Sequence, residues 1–422
     1  MVSATIDHLV ATMVLIVAFT LSMGLFSQIM QNALLYQFHM HLATKCSDTL
    51  DNILLSFGDM PGVFGLGDYN LEPYTLDPTL VMKLLSASGP LVEYPRGSGI
   101  KYSNITFGLG DYLFVPVSEC ISYETAQELL GLKGLYGFRL SLTPIIRLEL
   151  NTTEGRNGQS LNCTVVVEGF GSRVAEATVS CNLIYINITD ANNDSIPIIM
   201  HVGPKFQDTN PNGEAYFTFD RNDDPNLNVS MNYVVIASAR VANFYGVGYK
   251  YKGAWTSAGN VIPFVESITD GKLLLAHAFD VKQFNNSGAL HYNASYFMIG
   301  GDWSLSQIQL QGEHYGVLNY GAGRRGKTYA RAQIPAEYLN SPGILVVFCL
   351  KEGDGNEPNE YGVTVMPWMV QSLSFSVEFG GNPSGWEWVA TDVRHVLIGG
   401  VPYTAKLALW SLMGYQVTRY GW

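Results

Sequence analysis

An uncharged apolar stretch near the N-terminus most constrains what this chain can fold into. Residues 9–30 read LVATMVLIVAFTLSMGLFSQIM and contain no Asp, Glu, Lys or Arg. At about 1.5 Å per residue, a helix of this length extends about 33 Å, close to the roughly 30 Å hydrocarbon core of a bilayer. Gly24 is the only helix-weakening residue before Gly58, and the first proline is Pro61. The sequence therefore predicts one long helix whose first half suits lipid or other apolar helices.

Three interpretations of the stretch compete: a cleaved secretory signal, an uncleaved membrane anchor, and a helix packed in a filament or other assembly. A signal needs a basic region before the apolar core and a small-x-small cleavage site after it. Residues 1–8 (MVSATIDH) contain no Lys or Arg, and no such site follows. The signal is the least favoured, and the other two remain open. The first basic residue, Lys45, lies too far along to orient the helix by the positive-inside rule.

The second half of the helix is amphipathic. Apolar residues follow one another at steps of three or four, which predicts a helix with one face packed against a folded domain or a neighbour. The stripe consists of Leu35, Phe38, Leu42, Cys46, Thr49 and Ile53, with Leu34, Leu50 and Leu54 beside it.

An N-terminal helix that is membrane-like first and amphipathic second resembles the assembly helix of archaeal type IV pilin-like proteins. Asp7 resembles the acidic residue near the mature pilin N-terminus, and residues 51–70 (DNILLSFGDMPGVFGLGDYN) look like the connector that follows this helix. Residues 1–8 depart from the family, because they lack the basic residue followed by Gly or Ala that a prepilin peptidase recognises. The resemblance implies a cell-surface or extracellular filament. Other copies of the chain would be partners through the helix, and the membrane would be a partner before assembly.

The rest of the chain predicts β-structure. From about residue 101, short runs of Val, Ile, Tyr, Phe and Thr alternate with Gly, Asn, Asp and Pro, which is typical of antiparallel sandwiches. The predicted fold class is mainly β with a long N-terminal α-helix. A short helix is predicted over residues 77–86, and the tail 401–415 predicts either an edge strand or a short amphipathic helix. The expected units are 1–58 (helix), 59–144 (connector and first strands), 145–252 (a β-sandwich) and 253–422 (a second β-rich domain).

Block 145–252 carries the clearest pattern. In SRVAEATVSCN, residues 174–181 alternate in polarity with period two, as in a half-buried strand. In NGEAYFTF, Gly213 lies in a turn and Ala215 and Phe217 alternate with Tyr216 and Thr218. These two elements resemble bacterial-type immunoglobulin-like domains, which implies a spacer or binding surface.

Eight N-x-S/T sequons lie beyond the helix and predict N-glycans on a head outside the cytoplasm. They are Asn104, Asn151, Asn162, Asn187, Asn193, Asn228, Asn285 and Asn293. Of the five cysteines, Cys163 and Cys181 are disulfide candidates, within one sheet or between two, and Cys46 is expected to be a buried free thiol.

Two motifs suggest ligands. Asp220, Asn222 and Asp224 stand at alternate positions, as calcium ligands do in an EF-hand loop. Pro225 replaces the glycine that such a loop requires, so an ordinary turn is the competing interpretation. Calcium is the only cofactor that the sequence suggests. Residues 321–328 (GAGRRGKT) match the P-loop pattern letter for letter, yet Pro335 leaves no room for the helix that must follow, which favours a basic hairpin loop.

The composition argues against two functional classes. A net charge of -12 disfavours nucleic acid as a partner. The eight His are scattered, so no catalytic constellation is predicted and the chain is not expected to be an enzyme. Alternatives to the filament are an anchored envelope glycoprotein that binds glycans or a surface partner and, third, a secreted hydrolase. Glycan stacking would use an aromatic cluster of Tyr361, Trp368, Trp386 and Trp388, for which burial in a sandwich competes.

Overall fold

The computed structural model describes residues 2–58, 62–68, 72–85, 91–108, 111–187, 196–242, 244–253, 260–281, 288–300, 304–320, 327–351, 359–369, 376–386 and 388–412. It confirms a mainly β fold with one long N-terminal helix. The helices are α1 (Val2–Leu55), α2 (Pro78–Met82), α3 (Tyr123–Leu129) and α4 (Ala278–Val281).

The strands are listed here in chain order. The first thirteen are β1 (Thr75–Leu76), β2 (Val92–Glu93), β3 (Lys101–Gly108), β4 (Asp111–Pro116), β5 (Tyr136–Pro144), β6 (Ile146–Glu154), β7 (Ser160–Gly169), β8 (Ser172–Arg173), β9 (Thr178–Asn187), β10 (Ile198–Asp208), β11 (Glu214–Asp220), β12 (Tyr233–Val241) and β13 (Phe244–Lys252). The others are β14 (Val261–Ser267), β15 (Lys272–His277), β16 (Gly288–Ile299), β17 (Leu305–Ile308), β18 (Gln311–Gly312), β19 (Tyr315–Tyr320), β20 (Tyr329–Gln333), β21 (Gly343–Lys351), β22 (Glu360–Trp368), β23 (Val377–Gly380), β24 (Val389–Ile398) and β25 (Val401–Ser411).

The C-terminal part of α1 packs on a five-stranded sheet with the order β1-β24-β25-β5-β23, called here the helix-bearing sheet. The helix ends where the chain turns back tightly over its last turn: Ile53 O accepts a hydrogen bond from Leu66 N at 2.8 Å. Gly65 permits this return, because a Cβ at that position would lie 2.0 Å from Ser56 O. Short returns of this kind satisfy the carbonyl groups that a helix leaves unpaired at its C-terminus.

Strands β6 to β13 form a two-sheet sandwich. A sheet of β11-β7-β6, with β8 beside β7, faces a sheet of β10-β9-β12-β13 across an apolar core. Gly213 has a φ of +74°, and Ala215 and Phe217 are buried while Tyr216 is exposed, so the predicted turn and alternation of β11 are confirmed.

The remaining strands form a twelve-stranded sheet that contains β2 to β4 together with β14 to β22. Strand β4 pairs in parallel with both β14 and β22, so this sheet is not purely antiparallel. The sandwich is thus inserted between β5 and β14, and strands from both sides of the insert pair with one another.

The predicted alternation over residues 174–181 is wrong in extent. Residues 174–177 precede β9, which begins at Thr178, and from Val179 onwards β9 is buried on both faces. The cause is a second contact: the outer face of β9 and β12, including Ile184 and Ile236, packs against Phe297 and Val346 of the twelve-stranded sheet. A strand covered on both sides shows no period of two.

Two boundary predictions need correction. The short helix ends at Met82 rather than at residue 86, with Asp77 as its N-cap; the Asp77 carboxylate accepts hydrogen bonds from Thr79 N and Leu80 N. The described part of the tail, up to residue 412, is neither an edge strand nor a helix. Strand β25 lies in the middle of the helix-bearing sheet, between β24 and β5, which explains why its sequence is apolar on nearly every residue.

A buried histidine should make the head sensitive to acid. His277 is 1% exposed, and burial lowers the pKa of its imidazole to about 4, although Nε2 donates to Gly288 O at 3.0 Å. An unfolded His has a pKa of about 6.5, so protons bind preferentially to the unfolded chain. Stability from this group is complete above about pH 6.5 and falls as the pH drops towards 4, by about 3 kcal/mol in all.

This pH dependence can be measured by urea unfolding in detergent at pH 7 and pH 4.5. The His277→Gln variant retains a donor for Gly288 O but does not titrate, and it should show a smaller loss between the two pH values. Equal losses in both proteins would contradict the assignment.

Candidate functional site: the long helix and its attachment to the head

The first part of α1 stands free of the head. From His8 to Gln37 every side chain is exposed, including Leu15 at 69% and Ile29 at 65%. The helix from His8 to Leu55 is long and apolar enough to cross a membrane, and none of its most apolar stretch is buried. Such a surface needs lipid or other apolar helices around it.

Burial begins at the level where the helix-bearing sheet begins. Phe38 is half-buried, and Leu42, Cys46, Leu50 and Ile53 are buried, each at 3% exposure or less. The predicted stripe therefore holds from Phe38 onwards. It fails for Leu34 and Leu35, which are 60% and 44% exposed, because β24 and β25 reach the helix no further than the level of His39.

Polar contacts fix the helix on this sheet. The Cys46 thiol donates to Ala390 O and Leu407 O, both at 3.6 Å, and Cys46 is a buried free thiol as predicted. Since these carbonyls belong to β24 and β25, the thiol joins the helix to both strands.

Arg394 forms the strongest polar attachment between the helix and the head. Its Nε donates to Asp51 Oδ1 at 3.0 Å, its Nη2 to Ser47 Oγ at 2.9 Å, and its Nη1 to Asp392 Oδ1 at 2.8 Å. The carboxylates of Asp51 and then Asp392 raise the pKa of the guanidinium above its already high ordinary value. Tyr74 adds a hydrogen bond to Asp51 at 3.3 Å. Bidentate, partly buried ion pairs of this kind fix orientation better than single exposed ones.

A ring contact marks the point where the helix leaves the head. His39 packs against Trp388 with ring centroids 4.1 Å apart. Neither the ion pair of Arg394 with Asp51 nor the packing of Trp388 on His39 was predicted from the sequence. A sequence pattern does point to Arg394. It is the one Arg or Lys in the strand VATDVRHVLI, in a chain with few charged residues, and a partly buried Arg is usually paired with an acidic residue.

The calcium candidates are occupied by contacts within the chain. Asp220 Oδ1 accepts from Asn222 N at 2.8 Å, while Asp224 accepts from Asn226 N at 2.9 Å and from Tyr185 Oη at 2.6 Å. Within the described part of the chain, no group of three or more His, Cys, Asp or Glu could hold a metal. The contacts favour turn chemistry.

The P-loop-like segment lies largely outside the described residues, which resume at Lys327. The surroundings are those of a loop between two strands of one sheet: β19 precedes it, and β20, rather than a helix, follows it. Lys327 forms an ion pair with Glu313. A nucleotide site would need a helix N-terminus here.

The sequons differ in accessibility. Asn151 and Asn162 are exposed on the outer face of β6 and β7, whereas Asn187 is only 5% exposed. Asn228 is half-buried and accepts from Ser230 N at 3.1 Å, and the amide of half-buried Asn293 donates to Pro197 O at 2.9 Å. The side chains of Asn104, Asn193 and Asn285 lie outside the described residues.

Glycan occupancy should follow this order, because the transferring enzyme needs an accessible amide. Glycopeptide mass spectrometry on protein from its native source is expected to find glycan at Asn151 and Asn162 and none at Asn187. Full occupancy of Asn187 would show that the buried position of that amide in the folded sandwich does not limit transfer.

The two disulfide candidates lie on facing sheets. Cys163 is on β7 and Cys181 on β9, both are buried in the sandwich core, and both are free thiols in this structure. The pKa of Cys181 is raised, mainly because the thiol is buried and to a smaller extent because the Cys163 thiol lies beside it. Of the two alternatives, only a bridge between sheets remains compatible with these positions.

The aromatic residues considered for glycan stacking do not share one surface. Trp368 is fully buried, and its Nε1 donates to Leu339 O at 2.9 Å. Trp388 instead packs on the long helix. A buried ring has no free face for a sugar.

Comparison with known proteins gives no family. No protein-family model matches the chain, and no curated protein matches it. Among solved structures, the chain is similar to Salmonella alpha-2-macroglobulin reacted with methylamine (13% identity, TM-score 0.19, 60% of this chain and 17% of that chain). It is also similar to the native conformation of E. coli alpha-2-macroglobulin (11% identity, TM-score 0.19, 60% and 18%). The chain thus spans less than a fifth of either protein, and at this TM-score the likeness carries no argument about fold or function.

Proposed function

We propose that this protein is a pilin-like structural subunit of an extracellular filament. The observation that carries the proposal is that α1 passes without a break from an exposed apolar half into a half that buries one face against the head. An anchor alone needs only a span of about 20 residues, and a flexible linker would serve to attach its head.

Rigid attachment is what a helical polymer requires. Every subunit in such a polymer must hold its head at the same angle to the helix bundle, since all contacts between subunits are equivalent. The core around Leu50 and the contacts of Arg394 with Asp51 and Ser47 supply that rigidity. In the filament the apolar halves would bundle, with burial of apolar surface stabilising assembly by about 25 cal/mol per Å². The β-rich heads would face outward and carry N-glycans.

A second candidate is a membrane-anchored envelope glycoprotein that binds glycans or a surface partner. The exposed half of α1 supports it equally, because lipid would cover the same side chains. The two candidates differ in whether helices of different copies touch.

Crosslinking of exposed helix positions tests the filament. In the Leu34→Cys variant, mild oxidation of the native surface fraction should give disulfide-linked dimers, because position 34 is 60% exposed and would face neighbouring helices in a bundle. The Asn222→Cys variant, in an exposed loop of the head, serves as the matched control and should remain monomeric. Electron microscopy of the same fraction should show regular fibres that contain this chain. Dispersed particles without Leu34→Cys dimers would overturn polymerisation and leave the anchored glycoprotein.

A further inference from the structure

Several apolar side chains that are exposed or half-buried lie at the end of the head from which α1 leaves it. We define them as the collar: Leu129, Leu135, Trp388 and Val389. Leu129, Leu135 and Val389 are 38%, 41% and 38% exposed, and Trp388 is half-buried against His39.

The sheet register places the collar at one end of the helix-bearing sheet. Trp410 on β25 pairs with Val389 of β24 on one side and with Gly137 of β5 on the other, so Val389 and the start of β5 lie at the same end of the sheet. Leu135 O accepts from Leu412 N at 2.9 Å, which places Leu135 at this same end. The side chain of Gln127 donates to Tyr136 O at 2.9 Å, so α3, the helix that carries Leu129, is attached at the start of β5.

The length of the free helix matches one bilayer. From Leu9 to His39 the helix rises about 45 Å, and a bilayer with both headgroup layers measures about 40–45 Å. Residues 31–37 (QNALLYQ) mix amides with apolar groups and include Tyr36, which is 67% exposed. Tyr and Trp at this height are typical of the membrane–water interface.

We infer that the collar seats the head directly on the lipid bilayer when the subunit is anchored in the membrane. The occupant follows from continuity, because the membrane-crossing helix leaves the head beside Trp388, at the same end of the sheet as the other collar residues. Lys133 and Glu128, two exposed charges near Leu129 and Leu135, form an ion pair at 3.0 Å, so these two charges offset each other. The inference rests on the membrane-anchored stage of the proposed function and does not require polymerisation.

Depth-dependent quenching tests this contact. The full chain first receives the Cys120→Ser substitution, because Cys120 is half-buried while the other four cysteines are buried. An environment-sensitive fluorophore is then attached at one of three introduced cysteines: Leu21→Cys, Leu135→Cys or Leu397→Cys. Each protein is reconstituted at high dilution into phosphatidylcholine vesicles with or without brominated acyl chains. Leu397 is the matched control for Leu135, because it is 40% exposed and lies at the other end of β24, about 26 Å beyond Val389.

Loss of fluorescence at positions 21 and 135, with none at 397, is the expected result. Loss at 21 alone would show that the head stands away from the bilayer; this overturns the collar and leaves the anchor intact. Equal loss at 135 and 397 would show a head lying on its side and would also overturn the collar. No loss at 21 would overturn both the collar and the membrane-anchored stage. If Leu135→Cys fails to fold by circular dichroism, Val389→Cys gives the same readout.

Discussion

Replacing Leu50 with Ala is expected to lower the free energy of unfolding of the head by about 2–5 kcal/mol, the usual range for a buried Leu→Ala change. Leu50 is fully buried where α1 meets the helix-bearing sheet, in the same cluster as Cys46 and Leu407. The substitution would leave a cavity that a rigid helix on one side and a paired sheet on the other cannot close. Thermal unfolding in detergent, followed by circular dichroism, measures the loss.

The matched control is Leu34→Ala, the same change sixteen residues earlier in the same helix. Leu34 is 60% exposed, so its truncation should leave the stability of the head unchanged. If both variants unfold at the temperature of the parent protein, the helix does not stabilise the head, and the rigid attachment on which the filament proposal depends is lost.

Truncation of Phe264 to Ala should cost about 3–5 kcal/mol of folding free energy. This ring lies on β14, is fully buried, and stacks with Phe114 and Tyr94 at centroid distances of 4.5 and 5.0 Å while meeting the edge of Tyr102 at 4.9 Å. Aromatic pairs add to area burial, so loss of the shared ring removes three such contacts at once.

Phe170→Ala provides the comparison for this variant. Phe170 is 66% exposed in the turn between β7 and β8, and its removal should change stability by less than about 0.5 kcal/mol. Urea unfolding of the two variants measures both values under the same conditions. A loss in the Phe264 variant no larger than in the Phe170 variant would contradict the packing of β3, β4 and β14 around this ring.

Local pattern was enough to predict the long helix and the β-rich head. The uncharged run from Leu9 to Met30 predicts a helix that lies in lipid or among other apolar helices. The predicted alternation in β11 holds because the outer face of that strand is solvated. The pattern of β9 failed because a second sheet covers that strand, a fact that depends on residues more than a hundred positions away. Likewise, Leu34 and Leu35, at the start of the predicted stripe, are exposed because the helix there extends past the end of the sheet.

The attachment site was harder to foresee because its halves lie at opposite ends of the chain. Asp51 and Arg394 show no periodic relation, and only the fold brings them to 3.0 Å. The collar was hard to predict for the same reason. The start of β5 and the start of β24 reach the same end of the sheet through strand pairing with β25, and α3 joins them through a hydrogen bond to β5.

The central position of β25 in the helix-bearing sheet has a consequence for biosynthesis. The strands that receive the amphipathic half of α1 leave the ribosome more than 330 residues after Leu50. At about 5–20 residues per second, this delay is on the order of tens of seconds. During that time the face of α1 around Leu42 and Leu50 lacks the two strands that later cover it, while the preceding half of the helix already suits the bilayer. The nascent protein therefore depends on the membrane surface or a chaperone to shield a face whose final cover has not yet been synthesised.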